Sequence, residues 1–317
     1  MKTIYVVTGQ TATGKTDYAL ELAQKSDGEL INCDSRQIYK DLDIVTGKDI
    51  NQGTFTVAET VNGCDIGYYT VLHNGNETKV WLYDIISPDK TFSAAEYAPL
   101  ALQVIKNILD QGKTPVIVGG TYFYLMHLLY KTPQFQSETN WALRKALEEK
   151  TVEELQKILQ QKNSHMYKNM NTSDRSNPHR LIRRIEVAET TNREEFEASR
   201  IDKTIILGEK TGLKDITIDI TGFYRENREI TRNVIRDRVK KRIEQGAVEE
   251  TRQLLERYDP SSPGLKSIGY SQIVEYLEKK LNMEQLIEDW TNKEYQYAKR
   301  QYTFMKTDKY ISWKNIP

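Results

Sequence analysis

The string Gly9-Gln10-Thr11-Ala12-Thr13-Gly14-Lys15-Thr16 matches G-x-x-x-x-G-K-[ST] and constrains this 317-residue chain more than any other feature. Such a loop works only between a strand and a helix. Both are present: Thr3 to Thr8 is rich in β-formers, and Asp17 to Lys25 carries Tyr18, Leu20, Leu22 and Ala23 at helical spacing. The glycines let the backbone curl so that N–H groups and the helix N-terminus face a phosphate chain. Lys15 adds a compact positive charge, and the Thr16 hydroxyl can ligate Mg²⁺. The loop does not specify whether the phosphates belong to ATP or to another diphosphate.

A strand–loop–helix unit begins a parallel sheet, and later segments fit one. Glu29 to Cys33 reads as a second strand ending at Asp34. Thr114 to Val118 reads as a buried strand ending at Gly119-Gly120, with the amphipathic stretch Ala94 to Leu109 before it. Thr54 to Ile86 alternates β-formers broken by NGC and HNGN, the pattern of hairpins appended to the sheet. From Thr139 to Thr190 the pattern turns helical in three stretches, with Pro178 suited to a first turn. Thr204 to Leu207 and Ile216 to Ile220 return to β, and Glu226 to Tyr258, Ser267 to Lys280 and Met283 to Lys306 read as long helices. The expected fold is therefore α/β, a P-loop NTPase-like parallel sheet with a mostly helical insertion. The expected boundaries are residues 1–130 for the first part of the core, 131–200 for the insertion and 201–317 for the helical remainder of the core.

Composition excludes several classes. With 38% hydrophobic and 28% charged residues, and no apolar run near the ~20 residues that span a bilayer, no membrane segment is expected. The N-terminus runs into the glycine loop at once and reads as a core strand, not a signal peptide. Two cysteines, Cys33 and Cys64, are too few for a disulfide framework or a zinc site and point to the cytoplasm. Net charge is zero, but from Trp290 to Pro317 Lys293, Lys299, Arg300, Lys306, Lys309 and Lys314 interleave with Tyr295, Tyr297, Tyr302, Phe304 and Tyr310. That mixture suits nucleic acid, and equally a solvated helix face over a tyrosine stripe.

Asp34-Ser35-Arg36-Gln37 lies at the carboxyl end of the second strand, where open α/β sheets bind ligands. Asp34 there is either a base for a substrate amine or the cap of a following helix. Gly119-Gly120-Thr121 is a second glycine turn that could reach the same rim. In NPHRLIRRIEV, Arg180, Arg183 and Arg184 share one helical face. They either contact a phosphate backbone or form a solvated stripe paired with Glu186 and Glu189. The stretch Glu244 to Glu250 reads as structural.

The strings GQTATGKT, DSRQIY with DIVTGKD, VGGTYFY, NPHRLIRRIEV, IEQGAVEETRQLL, LKSIGYSQIVEYLE and YAKRQYTFMK, in this order from near Thr3 to near Trp313, resemble the tRNA dimethylallyltransferases. The resemblance implies transfer of a dimethylallyl group from dimethylallyl diphosphate to the exocyclic N6 of the adenosine 3′ of the anticodon. The partners implied are tRNA, with that base flipped in, and the prenyl diphosphate, with Mg²⁺ as cofactor and a monomeric chain. By motif match, Asp34 is the base, Ser35, Arg36 and Gln37 touch tRNA, and Gly9 to Thr16 with Thr121 attend the diphosphate. His179, Arg180, Leu181, Ile182 and Arg183 contact tRNA, as does Arg144 with an alignment off by one residue. Arg228 matches the first catalytic arginine of RENREITRNVIRDRV and Arg238 the last.

The chain departs from the family pattern in three places. VWLYDIISPDKTFSAAEYA stands where a histidine-rich segment is usual, a hairpin-like segment around Gly53 to Lys79 is extra, and Val234 replaces a middle arginine, so that if that arginine binds diphosphate either Arg232 substitutes or the activity is altered. Other readings of the same loop are a small-molecule kinase, a prenyltransferase acting on free adenine nucleotides, and a binding module without catalysis.

Overall fold

The computed structural model describes residues 2–48, 53–131, 140–190, 204–212 and 215–317. The P-loop strand β1 (Lys2–Gly9) feeds α1 (Lys15–Lys25), and the chain returns through β2 (Gly28–Asn32). Three antiparallel strands follow, β3 (Thr56–Val61), β4 (Cys64–His73) and β5 (Asn76–Trp81). Asn62-Gly63 and Asn74-Gly75 close the two hairpins with positive φ at both residues, the geometry that matches strand twist. As expected, these hairpins are appended to the sheet: β5 pairs in parallel with β2, and β4 and β3 extend that edge.

Ser93 and Glu96 form a reciprocal cap that starts α2 (Ala94–Asp110), after which come β6 (Thr114–Val118) and α3 (Tyr122–Leu129). Between the short paired strands β7 (Tyr130–Lys131) and β8 (Thr204–Ile205), the described residues form the helices α4 (Trp141–Glu148), α5 (Val152–Lys168), α6 (Thr172–Arg175) and α7 (Pro178–Thr190). Pro178 does open its helix. Beyond β8 lie α8 (Leu207–Thr211), β9 (Ile216–Tyr224), α9 (Arg228–Glu244), α10 (Ala247–Leu255), α11 (Tyr270–Leu277), α12 (Met283–Met305) and β10 (Ser312–Asn315). The single helix expected over Glu226 to Tyr258 is broken at Gly246, whose φ of 102° no helix accommodates. The strand expected to reach Leu207 stops at Ile205, because Leu207 already begins α8.

The main sheet has the order β10-β9-β1-β6-β2-β5-β4-β3, parallel from β10 to β5. Strand β1 is central, so Val6 and Val7 are each 1% exposed, one on either face, as a doubly covered strand requires. Ala19, Leu20 and Ala23 of α1 pack with Val7, Leu30, Val80, Val116 and Phe223. The chain divides into two compact units, Met1–Leu128 with Leu207–Pro317, and Leu129–Ile206. The second has its own core of Leu147, Leu155, Leu159, Met166, Leu181, Ile182 and Ile185. Among the described residues no helix is long and apolar enough to cross a membrane.

Candidate active site

The carboxyl ends of β1, β2 and β6 meet at one rim. Gly119 N donates to Val7 O and Thr8 Oγ1 to Gly119 O, while Cys33 N donates to Val118 O and Thr121 N to Cys33 O. These bonds align the glycine loop, the Asp34 segment and the Thr121 turn. The loop itself is held from inside by Thr13 Oγ1 donating to Gln10 O at 2.8 Å, and by Lys15 Nζ, which donates to the same carbonyl. Gly14 caps α1 in the left-handed conformation with φ 73° and no side-chain cap, so the first N–H groups of the helix are left for an anion.

Remote elements complete the cradle. Gln301 of α12 accepts from Thr11 N at 2.8 Å and donates to Gly120 O at 3.1 Å, tying the loop to the Thr121 turn. Gln10 donates to Ala298 O and accepts from Arg225 N, and Arg225 Nη1 donates to Ala12 O. Arg238 Nη1 donates to Thr11 Oγ1 at 3.0 Å. Burial, and then the charge of Arg238, push the Lys15 ammonium down to about 7, with Asp34 opposing the shift. Lys15 therefore feels the charges of both Arg238 and Asp34.

Asp34 is followed by a turn, not by a helix, so the helix-cap reading has no helix to cap. Its Oδ1 accepts from Arg36 N at 2.9 Å, which fixes the carboxylate on the rim. Ser35 N donates to Thr121 Oγ1 at 2.9 Å, and Thr121 Oγ1 donates to Ser35 Oγ at 3.2 Å. Tyr297 lies beside them: burial, with the nearby Asp34 charge, pushes its hydroxyl up to about 12, and its proximity to Thr121 and Gln301 opposes the shift. Gln37 Nε2 donates to Thr46 O and Gly47 O. Thr16 is exposed in the first turn of α1.

The arginines of α9 distribute differently from the motif match. Arg232 pairs with Glu288 in this structure, and Arg238 is the arginine of α9 seen bonded to the glycine loop. Arg228 is exposed in the first turn of the helix, whereas Arg238, further along it, reaches the loop. Arg225, Gln301 and Tyr297 lie at the site although the sequence reading gives them no role there; Arg225 opens RENREITRNVIRDRV, and Tyr297 and Gln301 fall in YAKRQYTFMK, so the signal lies in those strings.

In the helical unit, Glu186, 2% exposed, accepts from Asn140 N, from Arg144 at 3.1 and 2.8 Å, and from Arg183. Burial pushes this carboxyl up, but the Arg144 and Arg183 bonds outweigh it and hold it below its usual value. Arg180 pairs with Asp174, and His179 is exposed. Leu181 and Ile182, expected as tRNA contacts, are instead 0% and 5% exposed in the core of this unit. Leu181 has no surface to offer RNA and Ile182 has little, and in the core both hold the helix that carries the arginines. Leu181→Ala should therefore cost about 2–5 kcal/mol in a denaturant melt. A neutral melt with a raised KM for tRNA would restore the contact role.

The IPP transferase family model matches residues 62–308, and that of isopentenyl transferase matches residues 2–57. A tRNA dimethylallyltransferase of Endomicrobium trichonymphae is 34% identical over 307 residues, covering 96% of this chain and 91% of its own. That of Acetivibrio thermocellus is 31% identical over 327 residues, covering 99% and 92%. The full-length tRNA isopentenylpyrophosphate transferase of Bacillus halodurans gives a TM-score of 0.62 at 25% identity, over 99% of this chain and 89% of that one. A eukaryotic dimethylallyltransferase acting on tRNA gives a TM-score of 0.74 at 23% identity, over 99% and 74%, and bears on the fold alone.

Proposed function

Because the chain belongs to the IPP transferase family, we propose that it transfers a dimethylallyl group from dimethylallyl diphosphate to N6 of the adenosine 3′ of a tRNA anticodon. The observation that carries this reading is the meeting of an acid and a phosphate cradle on one rim: Asp34 lies within electrostatic reach of Lys15, and Thr121 is bonded to the residue after Asp34. In the reaction the adenine nitrogen bonds to the first carbon of the donor, the carbon–oxygen bond breaks, and the diphosphate departs with the electron pair. Asp34 orients the amine and takes its proton. Lys15, Thr121 and the loop of residues 9–16, through the N–H groups of residues 12–16, hold the charge that builds on the diphosphate, and Arg228 is proposed as an outer cation for it.

Mg²⁺ fits the donors present. The exposed Thr16 hydroxyl stands beside Lys15, and this ion takes most of its other ligands from phosphate oxygens and water, without a protein cage. When bound it neutralises charge on the leaving diphosphate. Ser35, Arg36, Gln37, Arg144, His179, Arg180 and Arg183 are proposed as the tRNA contacts, and a monomer in the cytoplasm is part of the same reading.

Mass spectrometry of tRNA nucleosides after incubation with the protein, dimethylallyl diphosphate and Mg²⁺ tests the proposal. Prenylated adenosine is expected. Its absence, with phosphoryl transfer from ATP to a metabolite, would establish a kinase instead; prenylation of free AMP alone would move the substrate from tRNA to the nucleotide. For the helical unit, Arg180→Ala combined with Arg183→Ala should raise the KM for tRNA and leave donor affinity alone. It should also flatten the slope of log affinity against log salt by about 0.7 for each phosphate that the variant no longer neutralises. An unchanged slope assigns both arginines to Asp174 and Glu186 only.

A further inference from the structure

Residues 43–48 belong to no strand or helix, yet an acid remote in sequence holds them. Glu250 of α10 accepts from Asp43 N at 3.1 Å, Ile44 N at 2.7 Å and Val45 N at 3.2 Å, and from Tyr270 Oη at 2.6 Å. Burial pushes this carboxyl up, and the bonds from Ile44, Tyr270 and Val45 oppose the shift; three consecutive amides converging on it restrain the segment. Lys48, 2% exposed, anchors its far end through Tyr39 O, Asp43 and Asp84.

What this segment carries explains why its position matters. The carbonyls of Thr46 and Gly47 accept from Gln37 Nε2 at 3.3 and 2.9 Å. On its other side Gly47 packs against two guanidiniums: a Cβ there would lie 2.5 Å from Arg242 Nη2 and 2.7 Å from Arg238 Nη2, at a φ of +65°. Arg238 in turn donates to Thr11 of the glycine loop, and Arg242 is tied to Glu294 at 2.7 Å. One turn thus touches the segment bearing Asp34 and the arginine that faces the cradle.

We propose that Glu250 is a positioning residue for both halves of the active site. It fixes the backbone of Asp43–Val45 so that the next turn holds Gln37 on the RNA side and seats Arg238 on the diphosphate side. The inference rests on the function proposed above. Glu250→Gln keeps the size but turns an NH₂ group toward amide donors, and Glu250→Asp keeps the charge on a shorter arm.

The test uses the full chain. In Glu250→Gln, hydrogen exchange of amides 43–47 should speed up, kcat/KM for tRNA should fall about 10–100-fold, and the Kd for inorganic pyrophosphate with Mg²⁺ should rise about 10-fold. Glu250→Asp should recover part of each loss, which also covers the case in which the glutamine variant does not fold. On the tRNA side the effects of Glu250→Gln and Gln37→Ala should be non-additive, because the first acts through the second. Unchanged kcat/KM and pyrophosphate affinity per folded molecule, or strict additivity with Gln37→Ala, would overturn the proposal and leave Glu250 a stabilising residue. Should the wild-type chain itself transfer no prenyl group, the functional reading fails, while the pyrophosphate and exchange measurements still decide whether Glu250 positions the site.

Discussion

Asp34→Asn lowers the single-turnover rate of prenyl transfer by roughly 10²–10⁴-fold and leaves tRNA affinity nearly intact. The exocyclic amine of adenine is a poor nucleophile because its lone pair is delocalised into the ring. A carboxylate bonded to its N–H orients it and removes the proton as the carbon–nitrogen bond forms. Asparagine keeps the size, and its carbonyl oxygen can still accept from Arg36 N as Asp34 Oδ1 does at 2.9 Å, so the turn should survive. It cannot take up the proton. Stability should therefore change by less than about 1 kcal/mol, the scale of one ordinary hydrogen bond. If Asp34 only holds the turn, turnover per folded molecule stays at the wild-type level in Asp34→Asn. Single-turnover prenylation beside thermal melts separates the two, and wild-type turnover would sink the base assignment.

Lys15→Ala is expected to weaken donor binding and to cost about 10²–10³-fold in turnover, the range for removing one preorganised contact to developing negative charge. Thr16→Ala should act in the same direction. The pH dependence is the sharper signature. Burial and Arg238 lower Lys15 to about 7 in the free site, so near neutrality it is only partly charged. A bound diphosphate favours the ammonium and raises its pKa, so binding takes up a proton. Affinity should then be greatest below pH 7 and decline as pH rises above it, until the bound-state pKa is passed. Pyrophosphate titrates in this range too, so the quantity to measure is the difference between wild type and Lys15→Ala in calorimetric titrations from pH 6 to 9. Parallel pH profiles for the two proteins would show that Lys15 does not carry the linked proton.

Where the fold was legible, the signal was local. The glycine loop, its strand and its helix follow from adjacent residues. So do the two Asn-Gly turns, since both residues of each adopt the positive φ that such hairpins require. The helical unit was legible because its stretches are amphipathic and Pro178 suits a first turn; the structure adds a reciprocal cap of Thr151 with Glu154. Strand β10 was not: it is a four-residue edge strand, and its Trp313 and Lys314 read as part of a basic aromatic tail until β9 is there to pair with. Leu181 and Ile182 sit inside a motif whose arginines face outward, and motif matching does not tell the two faces apart.

By itself the sequence determined the phosphate loop, the α/β class with its helical insertion, and the candidates Asp34 and Thr121, because each depends on chemistry contained within a few neighbouring residues. Only the tertiary structure decided which arginine of α9 bonds the loop, that Gln301 ties it to Gly120 beside Thr121 with Tyr297 nearby, and that Glu250 holds the backbone of residues 43–45. Those contacts link residues far apart along the chain. Their partners are chosen by the order in which parallel strands assemble and by the faces that α9, α10 and α12 turn inward, and a hydrogen bond across such separations leaves no periodicity in the sequence to read.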